Sequence, residues 1–174
     1  MREVLIFALY FFNLFPLLLL VIPHMISLLC KGGFLVLYTH CSLARKKIMA
    51  LIVSKFGGTS VASPERIKNV AKRLIAMKQQ GNDVVAVVSA MGKTTDELVG
   101  LAAALNDHPS KREMDMLLST GEQVSMSLLA MAIQALGYNS VSFTGWQAGI
   151  TTDNDFSSAK IEGIDADKIR KALS

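Results

Sequence analysis

Val53-Ser54-Lys55-Phe56-Gly57-Gly58-Thr59-Ser60-Val61 is the stretch on which the reading of this chain turns. The short apolar run Leu51 to Val53 leads into a lysine, two adjacent glycines and two hydroxyls. Ser63 and Pro64 then open a helical pattern, with a capping hydroxyl followed by a proline at the first helical position. The pattern predicts a strand that ends in a tight turn and feeds a helix. Glycines let backbone N–H groups come close to an anion, a helix start adds partial positive charge, and the lysine adds a full one. That combination suits a polyphosphate.

Working outward, the residues after Pro64 alternate strand and helix signals. Ile67, Val70, Ala71, Leu74 and Ile75 recur at helical spacing and define one buried face, with Gly81 as the stop. Val84 to Ser89 is a nearly continuous β-branched run, the mark of a strand buried on both sides. A helix follows the Ala90–Thr94 loop, with Leu98, Leu101, Ala102 and Leu105 expected on its inner side. Lys111 to Ser119 reads as a short helix. Thr120-Gly121-Glu122-Gln123 matches a capping box and predicts a second start. The helix from there to Leu136 carries Val124, Leu128, Met131, Ala132 and Ala135 on one face, and because its other sides are also mostly Ala, Met and Leu it is expected to be buried, with its methionines as core filler. Ser140–Thr144 reads as a strand, Gly145–Gly149 as a turn, Ala159–Glu162 as a short strand, and Asp165 as the start of a last helix. This order predicts an α/β domain with a mainly parallel sheet.

Charge separates the body from what precedes it. The formal net charge of +4 lies entirely in residues 1–48, which leaves 13 basic and 13 acidic groups in residues 49–174. The body has no basic stripe, so nucleic acid is not an expected partner. Cys30 and Cys41 both fall in the leader and His108 is the body's one histidine. A disulfide framework, a Cys/His metal centre and a serine–histidine–acid triad are thereby excluded from the body.

Val4 to Cys30 carries no charged residue over 27 positions, more than the roughly 20 that span a bilayer. Pro16 and Pro23 do not forbid a membrane helix. If it inserts, Lys31 and Arg45 to Lys47 favour a cytoplasmic location for residues 49–174. A signal peptide fits less well, because the run is long and no small-residue cleavage pattern follows. The preferred reading is an over-extended start upstream of a natural initiator at Met49.

In parallel sheets, ligands bind beyond the carboxyl ends of the strands. Three loops are expected there: Lys55–Ser60, Ser89–Thr95 and Thr144–Thr151, joined by Thr120–Glu122. They offer a lysine, glycine N–H groups, hydroxyls and a carboxylate, a set suited to phosphoryl transfer by positioning and charge neutralisation. Gly92-Lys93-Thr94 imitates the end of a Walker A loop. The motif fails, since its first glycine would fall at Val87 inside a strand.

These motifs carry a resemblance. Lys55-Phe56-Gly57-Gly58-Thr59-Ser60, Ser89-Ala90-Met91-Gly92 with Thr94-Thr95-Asp96-Glu97, and Glu113-Met114-Asp115 followed by Thr120-Gly121-Glu122 resemble the aspartokinases. Phe143-Thr144-Gly145 and Gln147-Ala148-Gly149 continue the match in order, so that it runs from about Met49 to Ser174. The resemblance implies a truncated three-layer α/β/α sandwich of the amino-acid-kinase type. It implies transfer of the ATP γ-phosphoryl to the side-chain carboxylate of L-aspartate, the entry to lysine, threonine and methionine synthesis, in the cytoplasm. Lys55 would be catalytic, and Lys55, Phe56, Gly57 and Gly58 would bind ATP. Ser89, Thr95 and Glu122 would hold aspartate, with Glu122 on its α-ammonium. Mg²⁺ is implied too, with ligands outside this chain, and full-length members form oligomers. The family's catalytic domain and its regulatory domains continue past Ser174, so the chain reads as an N-terminal part with half an active site. The alternative is a non-catalytic aspartate- or phosphate-binding module, membrane-tethered if residues 1–48 are translated and inserted.

Overall fold

The computed structural model describes residues 4–8 and 50–174. The elements are β1 (Val4–Ala8), β2 (Leu51–Phe56), a 3-10 turn (Gly58–Val61), α1 (Pro64–Gln79), β3 (Asp83–Val88), α2 (Thr94–Leu105), α3 (Lys111–Gln134), β4 (Ser140–Thr144), β5 (Ile150–Thr152), β6 (Ile161–Ile164) and α4 (Asp167–Leu173). Four strands form a sheet in the order β2-β3-β1-β4. Every neighbouring pair is parallel, and β5 and β6 make a separate antiparallel hairpin. The expected α/β class with a parallel sheet is what forms.

α1 follows its sequence closely. The Ser63 hydroxyl accepts from the Arg66 N–H at 3.3 Å and Pro64 sits in the first turn. The buried residues are Ile67, Val70, Ala71, Leu74 and Ile75. Gly81, at φ +87°, closes the end in the left-handed conformation that glycine adopts without strain. The buried faces of α1 and α3 share one core with Phe56, Val84, Ala86, Val88, Val4 and Ile6. These sheet residues lie at matching registers of β2, β3 and β1, so they belong to one face.

Three expectations are corrected. The break at Thr120–Gln123 is absent: Lys111–Gln134 is one helix, capped by the Ser110 hydroxyl on the Glu113 N–H. The Thr120 and Ser119 hydroxyls instead donate to the Leu117 and Met116 carbonyls within the helix, the local bonding that competes with capping. The buried face of α3 is Gly121, Glu122, Ser125, Met126, Leu129, Ala130 and Ile133, whereas Val124, Leu128, Met131 and Ala135 are exposed. On α2, Leu98 and Ala102 are half-buried, while Leu101 and Leu105 face solvent. Among the described residues α3 alone is long and apolar enough to cross a membrane by length and composition, but its buried face makes it a core helix.

The leader also contributes to the sheet, which its apolar run did not announce. Val4–Ala8 forms β1, between β3 and β4. The rest of that run, with Pro16, Pro23, both cysteines and the Arg45–Lys47 cluster, lies outside the described residues.

Candidate active site

The carboxyl ends of β2 and β3 are neighbours, and their loops clasp each other. The Ser89 N–H donates to the Phe56 carbonyl at 3.2 Å, and the Gly92 N–H donates to the Gly58 carbonyl at 3.0 Å. A Cβ on Gly58 would lie 2.6 Å from the Ala90 carbonyl oxygen, so the close approach requires glycine there. Gly57 differs: it has an ordinary φ of −74° and open space where a Cβ would be. The backbone therefore turns at Gly57 and Gly58 with one glycine packed and one bare. A 3-10 turn that starts at Gly58, rather than α1 itself, follows Gly57, and the Arg66 guanidinium donates back to its Thr59 carbonyl.

α3 reaches this clasp through Gly121 and Glu122. A Cβ on Gly121 would come within 2.9 Å of the Ala90 Cβ, so glycine brings the helix against the β3 loop. Glu122 is 7% exposed. Its Oε1 accepts from the Ala90 N–H at 3.2 Å, and its Oε2 is buried with no hydrogen-bond partner. Burial pushes the carboxyl above its usual range, partly offset by the Ala90 N–H and by its own backbone N–H. A buried carboxylate oxygen without a donor is costly, and a ligand cation or N–H placed there would satisfy it.

The other candidates fall around this centre. Lys55 is exposed on the last turn of β2, at register with Val87. Phe56, one residue on, points to the opposite face and into the core, with the Arg73 guanidinium 5.8 Å from its ring centroid. It therefore offers the site its backbone rather than its side chain. Ser89 and Thr95 are both half-buried. Thr95 is not a cap, for Lys93 holds that position without a side-chain capping bond.

The third loop is set apart. β1 lies between β3 and β4, so the end of β4 is two strand spacings, roughly 10 Å, from the end of β3. Its Thr144–Gln147 segment closes on itself. The Thr144 N–H and hydroxyl donate to Gln147 Oε1 at 2.9 and 3.1 Å. Gly149, at φ +92°, packs against the Asp165 carbonyl, where a Cβ would lie 1.9 Å away.

Sequence reasoning missed Ala90, whose backbone N–H orients Glu122 and leaves no side-chain signal. It quoted Asp115 without a role. The two Asp115 oxygens accept from the Ser157 N–H at 2.7 Å and the Ser157 hydroxyl at 3.3 Å. Ser157 has φ +66°, left-handed for a residue with a side chain. The bare Gly57 position and the unpaired Glu122 oxygen fit a phosphate and a cation respectively. Among the described residues no three His, Cys, Asp or Glu side chains stand close enough to hold a metal ion.

A profile described as "Amino acid kinase family" matches residues 50–174. The chain is similar to the aspartokinase of Bacillus sp. (strain MGA3), 65% identical over 126 residues that cover 72% of this chain and 31% of that protein. It is similar to aspartokinase 2 of Bacillus subtilis (strain 168), 63% identical over 127 residues, 71% of this chain and 31% of that one. Among solved structures, the aspartate kinase of Synechocystis superposes with a TM-score of 0.63 at 49% identity, covering 70% of this chain and 20% of that one. The chain thus spans about a third of the length of these curated relatives. With the glycine clasp, the parallel sheet and the profile in agreement, the chain belongs to the amino acid kinase family.

Proposed function

We propose that residues 49–174 form the N-terminal part of an aspartate kinase domain, which transfers the γ-phosphoryl of ATP to the side-chain carboxylate of L-aspartate. The observation that carries the reading is Glu122: one oxygen pinned by the Ala90 N–H, the other buried and unpaired beside the glycine clasp. An α-ammonium is the part of aspartate that completes this carboxylate. Ser89, directly after β3, and Thr95, in the first turn of α2, supply hydroxyls suited to the substrate's carboxylates. Lys55 offsets the charge that develops on the transferred phosphoryl, and the backbone of Phe56, Gly57 and Gly58 lines its path. When bound, Mg²⁺ neutralises phosphate charge in this chemistry, and the described residues are assigned no ligands to it. Similarity to aspartokinases supports the substrate, the entry to lysine, threonine and methionine synthesis, and a cytoplasmic location.

Titrating the isotopically labelled whole chain with L-aspartate, then with ATP, tests the reading by NMR. Aspartate is expected to move the amide signals of Ala90, Thr95 and Glu122, and ATP those of Gly57 and Gly58. Shifts in neither group would contradict it. Turnover by this chain alone is expected to be undetectable, since it spans about a third of the length of the aspartokinases it resembles. ATP- and aspartate-dependent ADP release above background would overturn that part and leave the site assignment standing.

A further inference from the structure

We infer that Arg66 is a positioning residue: by holding the Thr59 carbonyl, its guanidinium aims the backbone N–H groups of the glycine turn at the ATP phosphates. The inference rests on the reading of Gly57 and Gly58 as phosphate donors. Sequence sets the geometry. The Ser63 hydroxyl caps α1 and Pro64 lies in its first turn, which puts Arg66 at the third helical position. A long helical side chain leans toward the N-terminus of its own helix. Here that direction is back over the 3-10 turn, Gly58–Val61. The Arg66 guanidinium accordingly donates to the Thr59 carbonyl, 7 residues upstream.

That contact propagates through the turn. Its peptide bonds are trans, so each N–H points opposite the carbonyl of the preceding residue. Holding the Thr59 carbonyl therefore sets the direction of the Ser60 N–H, which donates to the Gly57 carbonyl at 2.8 Å. The Gly57 carbonyl in turn sets the direction of the Gly58 N–H. The Gly58 carbonyl is held by the Gly92 N–H at 3.0 Å, which sets the direction of the Thr59 N–H. Three successive carbonyls are each engaged, and the Gly58 and Thr59 N–H groups face away from them, the orientation in which successive backbone donors meet an anion. Gly57, with open space where a Cβ would be, leaves the approach clear. Among the three donors that hold these carbonyls, the Arg66 guanidinium is the side chain, so it is the one a substitution removes. It is also the charged one, and charge-assisted hydrogen bonds are the stronger kind.

NMR on the whole chain tests this with Arg66→Met, which keeps an apolar stem and removes the donor. Without ligand, the Ser60 amide is expected to exchange about tenfold faster, while Leu74, on the buried face of α1, keeps its rate. In titrations the variant is expected to bind ATP about fivefold more weakly and L-aspartate within about twofold of the unmodified chain. Lys68→Met removes the same charge from another exposed position of α1 and is expected to leave ATP binding within about twofold. Unchanged Ser60 exchange or unweakened ATP binding in Arg66→Met would overturn the inference. So would an equal loss in Lys68→Met, which would reduce the effect to charge. Equal weakening of both ligands in Arg66→Met, with faster exchange at Leu74, would make Arg66 a general support of the fold and overturn it too. Failure of the unmodified chain to bind ATP would overturn the phosphate reading itself, and the inference with it.

Discussion

Glu122 combines two demands that oppose each other in the unliganded protein. Its buried, unpaired oxygen is useful to a cation and unfavourable without one. Its pKa is raised in the folded state by burial, so the protonated form is the one folding prefers. The associated stability is therefore full below the ordinary carboxylate pKa and is lost as pH rises through the raised folded value. Glu122→Gln is expected to flatten this dependence and to stabilise the ligand-free protein near pH 7 by up to about 1 kcal/mol, measured by denaturant unfolding across pH. A neutral-pH loss of stability would show that the charge is paired in solution. The two glycines separate in the same experiment. Gly58→Ala drives a methyl into the Ala90 carbonyl and is expected to cost about 1–3 kcal/mol. Gly57→Ala meets open space and is expected to hold stability within about 0.5 kcal/mol while weakening ATP binding in an NMR titration.

Among the elements, α3 shows where periodicity informs and where it does not. Leu129→Ala, in a side chain with no exposure, is expected to cost about 2–5 kcal/mol. Met131→Ala, on the 60%-exposed side, is expected to stay within about 0.5 kcal/mol. Equal losses in thermal or denaturant unfolding would restore the face expected from sequence. α1 was legible because it has one polar side, so its apolar spacing has a phase. α3 is apolar nearly all round, and the same spacing then fits two adjacent faces. Its Thr120–Gln123 pattern is equally blind to context: a capping box in sequence is also four acceptable helical residues once Ser110 has capped the helix upstream. Asp115 belongs to this scale as well. It ties the β5–β6 loop to α3 through Ser157, so Asp115→Ala is expected to speed exchange of residues 154–160 and to cost about 1 kcal/mol.

At the scale of the molecule, the sheet strands β2, β3 and β4 were legible one by one, but their order was not, β5 (Ile150–Thr152) was not expected, and the short strand expected at Ala159–Glu162 lies at Ile161–Ile164. Local patterns in Leu51–Phe56, Val84–Val88 and Ser140–Thr144 announce strands without saying which lie side by side. The apolar excess of Val4–Cys30 hid a five-residue strand within a run long enough for a membrane. The two loops that form the clasp were brought together as expected because β2 and β3 are neighbours. The Thr144–Thr151 loop was not, because β1 intervenes. What the fold delivers is one edge where a glycine turn, the Ala90 backbone and a buried carboxylate converge. The claim that this carboxylate receives an α-ammonium is tested by comparing L-aspartate with succinate, which lacks only that group, on the whole chain and on Glu122→Gln. The account predicts that the unmodified chain binds aspartate more tightly and that Glu122→Gln loses the preference. Equal binding of the two ligands by the unmodified chain would contradict it.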